Sequence, residues 1–323
     1  MIKRLNIQNF KSVKNLELDC KKINIFIGAP NTGKSNLLES VGIFSLPYAK
    51  LEELIRFEKD MSNLFYDQDL ASRIKIFSNN LMFEIQSVKE MFIGWGQQKT
   101  DNQGIFHFNF EFDYGGNGKF SSNGISPFKF YKFEVIDDFK SHEPGFLRPP
   151  KGENLLTLLQ TNKILKEFVR DILSEFRLRI GFRPKERQLE VVKEIEDVII
   201  SYPYPMVSDT IQRIIFHITA IETNKDSIII FEEPEAHAFP YYTKFLAERI
   251  AMDKTNQYFI STHNPYFLLS LIEKSPKDDI NVFITYFKDY KTLVRLLTQE
   301  EMSEALDLEE SIFFNLDKFL GEE

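Results

Sequence analysis

Cysteine is almost missing from these 323 residues: Cys20 stands alone, which excludes an intramolecular disulfide and a cysteine-built metal site. No apolar run reaches the length of a membrane span. Met1-Ile2-Lys3-Arg4-Leu5 leads straight into a strand-like pattern and not into the apolar stretch of a signal peptide, so a cytoplasmic location is expected. Positive charge is not in excess either. The formal net charge is −8, so the field of the whole molecule does not favour nucleic acid. Sustained heptads, internal repeats and low-complexity segments are lacking, which argues against a long coiled-coil arm or a solenoid. The remaining balance, 43% hydrophobic and 27% charged, is that of a soluble globular chain long enough for one large domain or two smaller ones.

The charge is unevenly placed. Gly145 to Arg187 holds ten Lys or Arg against five Asp or Glu, whereas Thr298 to the C-terminus holds nine acids opposed only by Lys318. The basic stretch, with Arg177, Arg179, Arg183 and Arg187, is either a DNA-facing surface or a solvated face, and an excess of this size is more often the latter.

What is present is organised around Gly28-Ala29-Pro30-Asn31-Thr32-Gly33-Lys34-Ser35, a full match to G-x-x-x-x-G-K-[ST]. The apolar run Ile23 to Ile27 before it reads as a strand, and Asn36 to Val41 after it as a helix start. In that setting the loop wraps backbone N–H groups around phosphates, and the helix adds unpaired N–H groups and the positive end of its dipole. Asn36, the first residue past the motif, belongs to the same phosphate-binding turn. Lys34 is expected to reach the β- and γ-phosphates, and the Ser35 hydroxyl to ligate Mg²⁺.

Along the chain, Ile2 to Phe10 and Leu16 to Asp19 alternate as half-buried strands, and Leu51 to Asp60 reads as a charged amphipathic helix. Ile74 to Phe77, Leu81 to Ile85, Phe106 to Phe112 and Phe128 to Phe133 alternate with period two and predict an inserted antiparallel sheet. Apolar residues at helical spacing predict one helix over Asn154 to Arg177, and Leu189 to Val192 offers a short strand. The last third alternates helix (Thr210 to Asn224, Tyr241 to Asp253, Pro265 to Ile272) with buried strand (Ser227 to Phe231, Gln257 to Ser261, Ile280 to Tyr286). The predicted fold is α/β, a P-loop core split between the two ends of the chain. Its parts are expected at 1–60 (first part of the core), 61–140 (antiparallel insertion), 141–207 (helical and mixed subdomain) and 208–323 (second part of the core).

Two further stretches carry chemistry. Ile228-Ile229-Ile230-Phe231-Glu232-Glu233-Pro234-Glu235 delivers carboxylates at the end of a buried strand, where this fold class places its ligand. Adjacent acids leaving a strand point to different sides. Glu232 is therefore expected to hold Mg²⁺, directly or through water, and Glu233 to orient or deprotonate the attacking water. The alternative, that these acids only cap the next helix, is the weaker one after so long an uncharged run. Phe259-Ile260-Ser261-Thr262-His263 ends a second buried strand, and His263 could donate a hydrogen bond to a γ-phosphate.

The order Asn9-Phe10-Lys11-Ser12, Gly28 to Ser35, Glu232-Glu233-Pro234-Glu235-Ala236-His237, then Ser261-Thr262-His263 resembles the ABC-type ATPases of the RecF/SMC/OLD group. The resemblance covers the two terminal thirds. It implies an ABC-ATPase core binding ATP and Mg²⁺, with His263 as the switch histidine, Glu232 on the metal and Glu233 as the catalytic acid. Lys11 falls where the group places a basic residue near the nucleotide. The group's signature motif corresponds to Val207-Ser208-Asp209-Thr210-Ile211-Gln212-Arg213, in which Ser208 is present and the glycines are not. Ser208 either reaches a γ-phosphate across a dimer or serves as a helix N-cap. The group's glutamine loop has no counterpart that can be placed, and a C-terminal nuclease domain of the OLD type is not expected.

Two readings follow. One is a Mg²⁺-dependent ATPase whose two subunits sandwich nucleotide in DNA-related or phage-defence processes. The other is a slow or non-hydrolysing dimerisation switch that controls a separate effector protein, a nuclease or toxin. A nucleotide kinase or GTPase fits less well, because no acceptor-site motif and no N-K-x-D in the expected place are found.

Overall fold

The computed structural model describes residues 1–100, 104–308, 313 and 315–320. The chain opens with β1 (Arg4–Phe10) and β2 (Val13–Asp19), each burying alternate side chains, and then the wholly buried β3 (Ile23–Ile27). Helix α1 (Lys34–Gly42) follows the phosphate loop. A 3₁₀ segment, Ile43–Tyr48, leads to the single helical turn α2 (Leu51–Leu54). Five strands come next: β4 (Ile74–Phe77), β5 (Leu81–Val88), β6 (Met91–Thr100), β7 (Gly104–Phe112) and β8 (Gly118–Asn123). After β9 (Phe128–Tyr131) the chain forms α3 (Leu155–Thr161), α4 (Lys163–Ser174) and the strands β10 (Arg179–Arg183), β11 (Gln188–Ile195) and β12 (Val198–Pro203). The last third runs α5 (Asp209–Thr223), β13 (Ile228–Glu232), α6 (Pro240–Met252), β14 (Gln257–Ser261), α7 (Pro265–Lys274), β15 (Ile280–Lys288) and β16 (Lys291–Leu296). Helices α8 (Gln299–Leu308) and α9 (Leu316–Leu320) complete the described elements.

Among the described residues these strands form three sheets, ordered β2-β1-β4-β5-β6-β7-β8, β10-β11-β12 and β16-β15-β3-β14-β13-β9. The third is the core sheet. All its pairs are parallel except β15–β16. Its central strands are apolar on both faces because both are covered. Ile25, Ile229, Ile260 and Val282 face one hydrophobic cluster with helices α3 to α7, while Phe26, Ile230, Phe259 and Phe283 face another with α1 and the antiparallel sheet. Helix α1 thus lies between the two large sheets. No helix among the described residues is long and apolar enough to cross a membrane.

Four expectations change. Leu51 to Asp60 is not a helix: only Leu51–Leu54 is helical, and the chain then extends through Ile55 at φ −128°. The stretch from Asn154 to Arg177 is two helices, parted at Asn162, whose side chain caps α4 by accepting from the Leu165 N–H at 3.2 Å. Strands β1 and β2, grouped with the phosphate-loop strand from the sequence, pair with each other and, through β1, with β4, and so extend the antiparallel sheet. Conversely β9, expected in the insertion, pairs in parallel with β13 in the core. Its alternation misleads because Lys129 is buried, its Nζ 3.9 and 3.5 Å from the ring centroids of Tyr48 and Phe146. A lysine that reads as a solvent-facing position is an interior one here.

The basic stretch also looks different in three dimensions. The β10–β11 ladder and the turn between the two strands bring acids against the arginines. Arg179 meets Glu194 at 3.4 Å, Arg183 meets Glu190 at 2.5 Å and Glu186 at 3.5 Å, and Arg187 meets Asp138 at 3.0 Å. Three of the four arginines are therefore locally neutralised.

The two large sheets are joined through Phe44. It is fully buried, stacked on Phe128 of the core sheet at 4.7 Å between centroids and edge-on to Phe83 and Phe108 of the antiparallel sheet at 5.6 and 6.2 Å. Phe44→Ala should lower unfolding free energy by about 3–5 kcal/mol, seen in urea titration as an earlier midpoint at nearly unchanged slope. A midpoint within error of wild type would show that the sheets are held together elsewhere.

Candidate active site

The phosphate loop is shaped by two glycines. Gly28 has φ 148° and Gly33 φ 98°, regions a side chain disfavours. Space forbids one as well: a Cβ on Gly28 would lie 2.3 Å from the Thr285 carbonyl oxygen, and one on Gly33 2.0 Å from Thr292 Oγ1. Both threonines come from the β15–β16 hairpin, which forms the floor of the loop. Thr292 Oγ1 donates to the Thr32 carbonyl at 3.0 Å, Thr285 Oγ1 donates to the Ile27 carbonyl at 2.9 Å, and the Thr32 and Thr285 hydroxyls meet at 2.8 Å. Thr32 also donates to the Ala29 carbonyl at 2.9 Å. Gly33 then N-caps α1 without any side-chain cap, which leaves the first N–H groups of the helix free for an anion.

Lys34 shows what the loop is built to receive. Its ammonium donates to the Gly28 and Ala29 carbonyls at 2.9 and 2.8 Å, folding back over the loop. Burial pulls its pKa down to about 8, against the opposing charges of Glu233 and Glu232. A half-desolvated cation resting on carbonyls gains by exchanging them for phosphate oxygens.

The carboxylates arrive from the far end of β13. The Ser35 hydroxyl donates to Glu232 Oε1, joining two residues 197 positions apart. A hydroxyl and a carboxylate oxygen in contact form a donor set that fits Mg²⁺, which takes few protein ligands and completes its shell with phosphate and water. The next residue, Glu233, has a left-handed φ of 45°, so the chain turns sharply and sends its side chain away from Glu232. His263 Nε2 lies 3.3 Å from Glu233 Oε1. Burial and the Lys34 charge lower the His263 pKa, with Glu233 opposing, which favours the neutral imidazole.

These groups meet in one cleft of about 290 Å³ lined by Pro30, Asn31, Gly33, Lys34, Ser35 and Asn36, with Glu233, Ser261 and His263 opposite. A larger cavity of about 680 Å³, between residues 46–53 and the β7–β8 turn, holds none of them. Glu232 touches the cleft through Ser35, Gly28, Ala29 and Thr32 shape the loop without lining the cleft, and two further expected residues lie elsewhere. Lys11 is turned away from the cleft onto the fully buried Glu39, and burial lowers its pKa. Ser208 N-caps α5, its Oγ accepting from the Ile211 N–H at 3.4 Å, and does not line the cleft.

Two cleft residues escaped the sequence reading. Ser12 accepts from Asn36 Nδ2 at 2.7 Å and meets Thr292 Oγ1 at 2.7 Å, pinning the β1–β2 turn to the loop. Arg56 has its guanidinium 3.3 Å from Glu39 Oε1 and 3.5 Å from Glu232 Oε1, and its backbone N–H also donates to Glu39 at 3.2 Å. Only the charged patch after the loop helix hinted at it, and nothing local singles out one arginine there.

Comparison with known proteins agrees with this architecture. The AAA ATPase domain family matches residues 1–177. The DNA replication and repair protein RecF of Caldanaerobacter subterraneus is 25% identical over 114 residues, 33% of this chain and 30% of that protein. RecF of Clostridium acetobutylicum is 42% identical over 64 residues, 18% of each chain, and an ATP/GTP phosphatase of Helicobacter pylori 37% identical over 101 residues, 27% of each. The chain thus matches less than a third of the length of these relatives. An SMC head solved bound to the C-winged helix domain of ScpA has the same fold, with a TM-score of 0.54 at 13% identity over 94% of this chain and 99% of that one. Phosphate loop and split core agree with these matches: the chain belongs to the AAA ATPase domain family, with the fold of an SMC head.

Proposed function

We propose that this protein binds ATP with Mg²⁺ in the cleft and hydrolyses it, with Glu233 and His263 as the catalytic residues. The observation that carries the reading is the contact between Ser35 and Glu232 beside the Glu233–His263 pair, reached from three distant parts of the chain. Backbone N–H groups of the Gly28 to Ser35 loop other than Pro30, with Asn36 at the start of α1, cradle the phosphates, and Lys34 moves from its carbonyls to the β- and γ-phosphate oxygens. The Ser35 hydroxyl and Glu232 hold Mg²⁺, which supplies charge neutralisation on the phosphate oxygens. Glu233 orients water and accepts its proton, and neutral His263 donates a hydrogen bond on the γ-phosphate side. Lys11 acts indirectly, through Glu39 and Arg56.

The chain works as a homodimer in which Ser208 and the N-terminus of α5 complete the partner's cleft. The support is that the side chains of His263 and Glu233 are partly exposed and that Ser208 has a γ-oxygen at the N-terminus of the fifteen-residue helix α5. DNA is the expected substrate of the cycle, because two of the matched relatives are DNA replication and repair proteins. The paired arginines of β10 offer that role little support.

Glu233→Gln should reduce phosphate release by a factor on the order of 10²–10⁴ while leaving ATP binding intact and trapping a dimer visible by light scattering. Wild-type turnover in that variant would remove the catalytic assignment, and ATP-driven dimerisation with barely measurable wild-type turnover would favour the switch. ATP affinity measured by calorimetry should fall above pH 8, by up to about tenfold per pH unit, because free Lys34 loses its proton there. Lys34→Met should be weak and flat across the same range, and a wild type equally flat would show that this lysine does not meet phosphate. Duplex DNA should bind at low salt with affinity falling steeply as salt rises, and no binding at low salt would remove DNA from the reading.

A further inference from the structure

The acidic run after β13 contains a third carboxylate that the proposed reaction does not use. Glu235 is 3% exposed. Its Oε1 accepts a hydrogen bond from the Thr262 hydroxyl, while its Oε2 is buried without a hydrogen-bond partner. Thr262, itself fully buried, also accepts from the Asn264 N–H at 3.0 Å. Asn264 in turn caps α7, its Oδ1 accepting from the Phe267 N–H at 3.1 Å. His263 is the residue between Thr262 and Asn264, so the backbone on both sides of it is fastened through Thr262 to Glu235. On the Glu235 side, the Ala236 N–H donates to the Glu233 carbonyl at 3.0 Å, and the Glu233 N–H to the Ser261 carbonyl at 3.0 Å. Glu235 is thus a side-chain tie between the loop that bears Glu233 and the loop that bears His263.

We propose that Glu235 is a positioning residue that acts as a neutral acid buried between the β13–α6 and β14–α7 connections and sets His263 against Glu233. The inference rests on reading Glu233 and His263 as the groups that act on water and γ-phosphate. An ionised carboxylate with one oxygen buried and unpartnered is costly, whereas a protonated one relieves that cost. Burial raises the Glu235 pKa to about 7, and the charge of Glu233 raises it further, against the bonds from Thr262 and from the backbone N–H groups of Glu235 and His263. The titratable groups near it are Glu233 and His237 on its own loop and His263 across from it. Thr210 of α5, which donates to the His237 carbonyl at 2.8 Å, brings no charge.

The sign follows from linkage. With the folded pKa near 7 and an ordinary value of 4.5, the neutral acid stabilises the fold fully below pH 4.5, and that contribution is lost as pH rises through 7. Glu235→Gln mimics the neutral form and cannot ionise. Its Tm advantage over wild type should therefore grow from pH 4.5 to 7 and level off above, without any nucleotide present. Its kcat should stay within about threefold of wild type at pH 6.5 and lack the wild-type alkaline limb near pH 7. Thr262→Val and Glu235→Ala should lower kcat by a factor on the order of 10–10² at unchanged KM for ATP, because the phosphate loop is untouched.

NMR titration of His263 in the nucleotide-free protein should show an altered pKa in Thr262→Val and Glu235→Ala and a wild-type value in Glu235→Gln. A Tm difference independent of pH, or an unaltered His263 in both uncoupling variants, would overturn the proposal. If wild type hydrolyses no ATP, the reading of Glu233 fails, and these two nucleotide-free measurements still decide whether Glu235 sets the position of His263.

Discussion

Parallel pairing of β14 between β3 and β13 is the constraint on which the site depends. The register sets Glu232 opposite Ser261 and Ser261 opposite Phe26, so three strands end at one edge of the sheet. The chain needs about two hundred residues to get from the first of these strands to the second. A backbone ladder, and not any side-chain attraction, brings the Ser35 hydroxyl to Glu232. Ligands of open α/β sheets lie beyond the carboxyl ends of their strands for this reason. A register slip of one residue would turn every core side chain to the opposite face and move Glu232 away from the loop.

Charge around the cleft is balanced internally. Lys34 rests on carbonyls, Arg56 stands between Glu39 and Glu232, and Lys11 closes on the buried side of Glu39. Burying Glu39 alone would be costly, and its two cations make it tolerable. That arrangement holds Arg56 at the rim of the cleft and commits no phosphate-binding group irreversibly. Ligand entry then requires exchange of partners and not the creation of new charge.

What the sequence made legible is what local chemistry encodes. The phosphate loop, the paired acids after a buried run and the histidine after the next one all depend on residue type at fixed short spacing, and the structure brings Lys34, Ser35, Glu233 and His263 to one cleft. Arg56, Thr285 and Thr292 were not legible, because their importance comes from tertiary neighbours far along the chain. Strand β6 was missed for a different reason. Glycine weakens a strand pattern, yet Gly94 and Gly96 leave room for Phe110 and Phe108, whose rings a Cβ would approach to 2.2 and 2.6 Å. Strand β8 is exposed along its length and carries no alternation to detect. Lys129 disguised the core strand β9 by placing a lysine at an interior position, where burial pulls its pKa down to about 6.

The floor of the phosphate loop has a temporal consequence. Thr285 and Thr292 lie some 250 residues after the loop they support, and β15 must pair with β3 before either can reach it. During synthesis the motif is made some 250 residues before the surface that shapes it. A nascent or truncated chain therefore has the loop without its support, and nucleotide capture is coupled to completion of the core sheet. The most recognisable segment of the sequence is among the last to become functional.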